Sequence, residues 1–231
     1  MGGSCDVSSI FERALGRQFS QLHPRLQRRL SMTSDDCLAQ VGVGVMSDMT
    51  RSRLAGVPVI ALGRMRRLEL PAAGREVRYN LANYAYRDTF GRETFAYSRR
   101  FLLGDRVNRF DDTMVFSERR GCIVNYLGSH QDIAAELHLE PTEGGGVRMR
   151  GGNQRIYQGR FGLKLPDAVA ANAAVVETFD EETERFRITV DVAAAGRRLF
   201  GYRGWFQLTE VPLTAEQIPP GIRPDRERRQ D

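Results

Sequence analysis

Lysine is almost missing from this sequence, and cysteine and long apolar runs are scarce. Lys164 is the only lysine among 34 Lys and Arg residues. Three widely separated cysteines, Cys5, Cys37 and Cys122, offer neither a disulfide framework nor a Cys-x-x-Cys metal or redox pair. The longest apolar run, at 55–63, is far shorter than the ~18 residues of a membrane helix, and the first residues lack the basic and apolar regions of a secretory signal. We therefore expect a cytoplasmic protein with no integral membrane association.

Catalytic and cofactor signatures are also lacking. There is no Gly-x-Ser-x-Gly nucleophile elbow. The glycine-rich stretch at 144–152 lies between predicted strands and opens no helix, so it fits neither a dinucleotide loop nor a phosphate loop. Glu136, His138 and Glu140 would share one face of a strand, but the leucines between them point inward, which places these three groups on the solvent side. The sequence predicts no metal and no cofactor.

The charge balance argues against a nucleic-acid partner. The formal net charge is +5, but 34 basic residues are opposed by 29 acidic residues. The two signs are interleaved along the chain, so no basic arm or stripe stands out. We therefore predict no nucleic-acid binding.

Residues 1–36 form a predicted helical segment. Ser9 followed by Glu12 is a capping box, and apolar residues recur at helical spacing through the first thirty positions. Pro24 stands where a second helix would begin. We expect this segment to pack on the main domain.

Residues 37–212 have the pattern of strands. One run at 37–46 and nine runs after about residue 68 are separated by short turns that contain Gly, Asp or Asn. About ten antiparallel strands without intervening helices usually close into a barrel or split into a sandwich. The fold prediction is a single all-β domain, an antiparallel lipocalin-like β-barrel of about ten strands with short N-terminal helices.

The sequence also predicts the structure of two further segments, 50–67 and 213–231. The arginine-bracketed segment 50–67 is interpreted as packing across one end of the barrel, with a lid over the barrel mouth or a membrane-surface contact as alternatives. Residues 213–231 contain prolines and mixed charge without apolar periodicity, so we expect a disordered tail.

One predicted strand carries an arginine in an aromatic row. In ETFAYSRRFLL, alternation places Phe95, Tyr97, Arg99 and Phe101 on the same face. A charge inside an apolar core is costly unless it is paired and hydrogen-bonded. Arg99 therefore needs either a partner or access to water.

A second predicted strand repeats this pattern, because Met114, Phe116 and Glu118 form one row. In one interpretation, Arg99 and Glu118 form a structural bridge or lie near strand ends, where arginine reaches water. In the other, these two groups and two tyrosines, Tyr97 and Tyr202, are the convergent polar groups of an apolar pocket.

Several short motifs, taken in order, support a family resemblance. They are the opening helix IFERALGRQFSQLHPRLQRRL, a Tyr-x-Arg-x-Phe strand at Tyr97, Arg99 and Phe101, the pair Glu118 and Arg119, a Gly-x-x-Leu-Pro segment at Gly162, Leu165 and Pro166, and Tyr202, Arg203 and Gly204. This set resembles a bacterial family of uncharacterised domains found alone or fused behind saccharopine-dehydrogenase-like oxidoreductases. The likeness covers most of residues 9–210. The fusion partners imply small-molecule metabolism, by analogy alone.

The resulting hypothesis is that the barrel lumen binds an apolar small molecule bearing an oxygen function or acidic group. The leading form is a cofactor-independent cyclase or isomerase of a polyketide- or terpenoid-like substrate, with Glu118 or a tyrosine as general acid or base and Arg99 stabilising negative charge. The alternatives are a non-catalytic small-molecule or lipid carrier and, third, a structural interaction protein. The predicted catalytic residues are Glu118, Arg99 and Tyr202, and the predicted ligand-binding residues are Tyr97, Phe95, Phe101, Met114, Phe116 and Phe206.

Overall fold

The computed structural model describes residues 8–52, 67, 69, 72–158, 161–166 and 170–229. Most of segment 50–67, which is predicted to pack across one end of the barrel, lies outside the described residues. Within the described part of the chain, no helix combines the length and apolar character needed to span a membrane.

The N-terminal helices begin where the sequence predicts them. Helix α1 spans Ile10–Leu15 and starts with the Ser9/Glu12 capping box, and helix α2 spans Pro24–Leu30. The His23 side chain accepts a hydrogen bond of 3.1 Å from the Arg25 amide, which caps α2. Short 3-10 helices follow the two α-helices at Gly16–Gln21 and Ser34–Asp36.

Eleven antiparallel strands follow in the described residues. They are β1 (Leu38–Arg51), β2 (Gly74–Arg87), β3 (Glu93–Leu103), β4 (Arg106–Ser117), β5 (Cys122–Leu127), β6 (Ile133–Pro141), β7 (Val147–Gln158), β8 (Phe161–Lys164), β9 (Ala171–Asp180), β10 (Arg185–Ala194) and β11 (Arg197–Pro212). A 3-10 helix at Ala215–Gln217 comes after the last strand.

Ten of these strands close into a barrel, so the predicted all-β barrel is confirmed. Their order is β6-β5-β4-β3-β2-β1-β11-β10-β9-β7, and the pairing of β6 with β7 completes the ring. Strand β8 pairs with β7 alone, beyond the stretch where β7 pairs with β9. At that junction the Gln154 side chain hydrogen-bonds the backbone N–H and carbonyl of Ala171, which continues the connection between the strands.

The first and last strands approach each other closely. Strands β1 and β11 pair from Leu38↔Pro212 to Arg51↔Phe200. A methyl group at Gly44 would overlap the Trp205 carbonyl oxygen, and one at Gly204 would overlap the Val45 carbonyl oxygen. Glycine is therefore required at both positions because a side chain would push these strands apart.

The segment after β11 differs from the expectation of disorder. Ile222 is buried against an outer-face cluster that includes Tyr84 and Tyr86 on β2. The Arg228 side chain is 4% exposed and lies 2.9 Å from Asp132. Residues 213–229 thus cover aromatic groups that point away from the lumen. Prolines and mixed charge without apolar periodicity suggested disorder, but Ile218, Ile222, Arg223 and Arg228 have partners on the barrel wall.

The interior of the barrel follows the strand alternation. On β10, every second residue is apolar and buried: Phe186, Ile188, Val190 and Val192. Helices α1 and α2 cover one end of the barrel, where β1 begins and β11 ends: Arg28 on α2 contacts Glu210 on β11, and the Arg29 carbonyl accepts from Gln40 on β1. The apolar side chains fill most of the lumen but leave a cavity.

Candidate functional site

The lumen contains a cavity of about 290 Å³. Strands β3, β4, β9, β10 and β11 supply most of its lining, and helices α1 and α2 contribute Phe11 and Arg29. The lining is largely apolar. Its polar members are few and are drawn from different elements: Arg29, Tyr97, Arg99, Asp112, Asn125, Gln154, Glu177 and Tyr202.

Arg99 lies inside the barrel and is paired with a carboxylate. Its Nη2 donates to Asp112 Oδ2 on the neighbouring strand β4, and the two side chains are 10% and 3% exposed. Its Nη1 lies 3.5 Å from the Tyr202 hydroxyl, and its Nε donates to the Phe110 carbonyl oxygen at 3.4 Å. The guanidinium carbon is also 4.6 Å from the centre of the Tyr97 ring and 4.5 Å from that of Phe110. The guanidinium is thus held by ionic, hydrogen-bond and cation–π contacts together.

A second buried ion pair joins α2 to the barrel wall. Arg29 Nη1 lies 2.8 Å from Glu177 Oε1 on β9, and the side chains are 3% and 2% exposed. The Arg29 guanidinium is 5.4 Å from the Phe206 ring centre and 5.7 Å from that of Tyr97. Arg29 also lines a groove of about 570 Å³ between α2 and the end of the barrel, so this side chain is shared by the groove and the lumen cavity.

The electrostatics of the two pairs follow from their burial. Burial raises the pKa of Asp112, and the charge of Arg99 opposes this rise only in part. Burial likewise raises the pKa of Glu177 against the opposing effect of Arg29. For Arg99, burial alone would lower the pKa, but Asp112 and three tyrosines raise it above its ordinary value. The cavity wall therefore places two guanidinium groups beside two carboxyl groups whose pKa values are raised by their apolar surroundings.

The three interior tyrosines are neutral hydrogen-bonding groups. Burial raises the pKa of Tyr97 to about 12 and also raises the pKa of Tyr79 and Tyr202. The hydroxyls of Tyr79 and Tyr97 lie 3.2 Å apart and form a hydrogen bond. A tyrosine with a raised pKa is a poor general base near neutral pH but remains a hydrogen-bond donor.

Three acceptor atoms on cavity-lining side chains make no hydrogen bond, and one of them, Glu177 Oε1, lies 2.8 Å from its ion-pair partner Arg29. The other two belong to Asp112 and Asn125. Asp112 Oδ1 and Asn125 Oδ1 are buried and accept no hydrogen bond, although both side chains line the cavity. Asn125 Nδ2 lies 3.4 Å from Asp112 Oδ2, so the two unpaired acceptors belong to adjacent groups. On the Arg29 side of the cavity, Arg29 Nε is a buried donor without a partner.

The structure brings five of the nine predicted site residues to the cavity wall. They are Phe95, Tyr97, Arg99, Met114 and Tyr202. Phe101 and Phe206 are fully buried but pack behind the wall, where Phe101 contacts the rings of Tyr79 and Tyr202 and Phe206 stacks on Phe186. Phe116 is half-buried, and the guanidinium carbon of Arg13 lies 4.6 Å from the centre of the Phe116 ring.

Glu118 lies outside the cavity. It follows the end of β4, its side chain is 77% exposed, and it pairs with Arg13 of α1. The predicted structural bridge between Arg99 and Glu118 is therefore wrong, because Asp112 occupies the position beside Arg99. The alternation that suggested Glu118 continues past the end of the strand, where a side chain no longer faces the lumen.

A comparison with protein families places the chain. Residues 22–206 match the model of a family described as a domain of unknown function, DUF4166. The chain belongs to the DUF4166 family. The matched segment, residues 22–206, contains all the cavity-lining residues except Phe11. The predicted resemblance to a family of uncharacterised domains is thus confirmed, and the fusion to saccharopine-dehydrogenase-like oxidoreductases stays a prediction.

A relative of the DUF4166 chain extends over nearly the same length. The uncharacterized protein YndH of Bacillus subtilis (strain 168) is 25% identical over 205 residues, which cover 88% of this chain and 98% of the relative. No solved structure matches the chain. The comparisons therefore establish the family and assign no ligand or reaction to the cavity.

Asp112, Arg29 and Glu177 are the charged wall residues that the sequence analysis missed. The row predicted for this strand begins at Met114, whereas β4 begins at Arg106 and places Asp112 two residues before Met114 in the same inward row. Arg29 lies three residues after Leu26 on the buried face of α2. Glu177 lies two residues after Val175 on β9, so both side chains face the cavity. In each case, helical or strand periodicity was the available signal.

One cluster on the outside of the barrel has the donor types of a metal site. Cys122, Glu136 and His138 place their potential ligand atoms within 4.8 Å of one another. Glu136 already has partners, because Arg120 lies 3.1 Å from its Oε1 and Asn153 Nδ2 donates to its Oε2 at 2.7 Å. Burial and the charge of Glu136 raise the pKa of the Cys122 thiol, which disfavours the thiolate that a metal needs.

Proposed function

We propose that this DUF4166 protein binds an apolar, oxygenated small molecule in the barrel cavity and acts as a small-molecule carrier. The supporting observation is the combination of an apolar lining with a few convergent polar groups, centred on the buried Arg99–Asp112 pair. This combination is the usual anatomy of a small-molecule site. A volume of about 290 Å³ suits a compact ligand, because it equals roughly ten water-sized groups at ~30 Å³ each.

The cost of the interior charges also supports binding. Replacing a buried ion pair with apolar side chains is often neutral or stabilising. Two such pairs, Arg99–Asp112 and Arg29–Glu177, line this cavity. A barrel selected only for stability has little reason to keep both at the wall of a cavity. Recognition of a bound ligand would be a reason to keep both ion pairs.

A cofactor-independent cyclase or isomerase is the second candidate. The observation that favours it is the raised pKa of Asp112 beside Arg99 and Tyr202, which suits a general acid next to a cation that stabilises negative charge. We rank the carrier first because Glu118, the predicted acid or base, lies outside the cavity and the tyrosines are poor bases.

A binding experiment with a cavity-filling variant tests the proposal. Ala135 lines the cavity and is 8% exposed, so Ala135→Phe should fill the lumen and abolish binding of a naphthalene-sized probe such as 1-methoxynaphthalene. Val43 lies on the outer face and is 62% exposed, so Val43→Phe is the matched control and should bind like the wild type. Binding is measured from probe fluorescence, and circular dichroism verifies that both variants fold. Equal binding by all three proteins would contradict a site in the lumen.

A further inference from the structure

The unpaired acceptors of the cavity wall restrict the chemistry of the ligand. Asp112 Oδ1 and Asn125 Oδ1 are both buried and have no donor. A buried acceptor without a donor loses its hydration and gains nothing in return, so such atoms are rare in folded proteins. Both belong to side chains of the cavity wall, where a guest molecule could supply the donor.

Three of the five N–H donors of Arg99 are directed to other acceptors. Arg99 directs its Nη2 to Asp112 Oδ2, its Nη1 to the Tyr202 hydroxyl and its Nε to the Phe110 carbonyl oxygen. Asn125 directs its Nδ2 to Asp112 Oδ2. The protein thus supplies donors to one oxygen of Asp112 and none to the other oxygen or to the neighbouring amide oxygen, so the O–H of a ligand would be the missing donor.

The charge of the cavity excludes an anionic partner. Two guanidinium groups, Arg29 and Arg99, are matched by two carboxylates, Glu177 and Asp112. A carboxylate ligand would add an unbalanced negative charge and would bring no hydrogen to Asp112 Oδ1. An unpartnered donor, Arg29 Nε, is also present, but it belongs to the Arg29–Glu177 pair and not to the two acceptors.

We infer that the ligand is a neutral apolar molecule with a hydroxyl group, an alcohol or a phenol, whose O–H donates to Asp112 Oδ1 or Asn125 Oδ1. This inference rests on the proposed function, since it names the ligand class of the same cavity. It narrows the sequence-based expectation of an oxygen function or acidic group to a hydrogen-bond donor without charge.

Three probes of similar shape test the inference. At pH 7, 1-naphthol is a neutral donor, 1-methoxynaphthalene has the same rings and oxygen but no donor, and 1-naphthoate is an anion. We expect wild-type protein to bind 1-naphthol about tenfold more tightly than 1-methoxynaphthalene, because a hydrogen bond to a charged acceptor contributes about that factor. We expect 1-naphthoate to bind most weakly of the three.

A variant of the acceptor pair links this preference to the site. Asn125→Leu removes one unpaired acceptor while keeping the side-chain size, and should reduce the preference for 1-naphthol at least threefold while 1-methoxynaphthalene binds as before. Asn153→Leu is the matched control, because Asn153 is exposed and contacts Glu136 on the outside of the barrel. This control should keep the wild-type preference.

The outcomes separate this inference from the proposed function. Equal affinity for 1-naphthol and 1-methoxynaphthalene, with both lost in Ala135→Phe, would overturn the donor inference and leave lumen binding intact. Tightest binding of 1-naphthoate would also overturn it. An unchanged preference in Asn125→Leu would contradict the assignment of Asn125 Oδ1 and leave Asp112 Oδ1 as the acceptor. Binding of none of the probes would overturn the proposed function and the inference together.

Discussion

Replacement of Arg29 by methionine is expected to destabilise the protein strongly near neutral pH. Arg29 and Glu177 are 3% and 2% exposed, so removing the cation leaves a carboxylate buried without its counter-charge. Breaking a buried pair in this way costs about 3–5 kcal/mol, which is a large part of the ~5–15 kcal/mol that stabilises a typical domain. Urea unfolding followed by tryptophan fluorescence at pH 7.5 measures the difference.

The pH dependence identifies Glu177 as the cause. Burial holds the pKa of Glu177 above its ordinary value, and the loss of Arg29 raises it further. A carboxyl group with a raised folded-state pKa contributes stability that is present below its unfolded pKa and is lost as the pH rises through its folded pKa. The deficit of Arg29→Met relative to wild type should therefore shrink between pH 7.5 and pH 5.

Two further variants complete this experiment. Arg29→Met combined with Glu177→Leu removes both charges, so it should recover to within about 1 kcal/mol of wild type or exceed it, without the pH dependence. Arg28→Met is the control, since Arg28 is 67% exposed in its pair with Glu210 and should shift the unfolding midpoint little. A double variant as unstable as Arg29→Met, or a deficit equal at both pH values, would refute the argument.

Three other predictions address the rest of the molecule. Gly44→Ala should lower the thermal unfolding midpoint by several degrees, because its methyl group would overlap the backbone of β11, and an unchanged midpoint would contradict the close approach of β1 and β11. Arg228→Ala should accelerate tryptic cleavage within residues 213–229, whereas Arg229→Ala, at an exposed position, should not; equal rates in both would mean that Arg228 does not hold the segment. Hydrogen bonds from Arg187 and Thr183 lower the pKa of Asp180 to about 2. The stability that Asp180 contributes should therefore be present above its ordinary pKa and be lost as the pH falls towards 2. NMR titration of Arg187→Met should show the Asp180 pKa moving up towards its ordinary value, and no movement would contradict the role of Arg187.

The barrel was predictable because its determinants are local. Alternation of apolar residues and short turns with glycine or aspartate mark most strands, and ten such strands without helices between them have few ways to bury their inner faces. Closure itself depends on contacts far apart in the chain, such as β1 with β11 and β6 with β7. Periodicity shows which residues face inward, but it does not show which strands meet at the ends of the sheet.

The site was predictable only in part, for the same reason. Alternation correctly indicated that Arg99 and Tyr97 share one face, and the structure places both at the cavity. The identity of the partner depended on register: β3 and β4 align Tyr97 with Asp112, which places this carboxylate beside Arg99 on the inner face. A strand boundary drawn too late on β4 was enough to exchange Asp112 for Glu118.

The same apolar surroundings that make the two ion pairs costly make them selective. A charge buried in a lumen interacts strongly with any group that enters, so an ill-matched ligand leaves a polar atom unpaired or a charge unbalanced. Arg99 and Asp112 hold each other in place, and the rings of Tyr97 and Phe110 both contact the Arg99 guanidinium. This rigidity leaves a ligand little opportunity to rearrange the wall. Discrimination then depends on whether the ligand already carries a donor for Asp112 Oδ1, and a cavity that binds molecules without one more weakly is a selective binding site even where it performs no reaction.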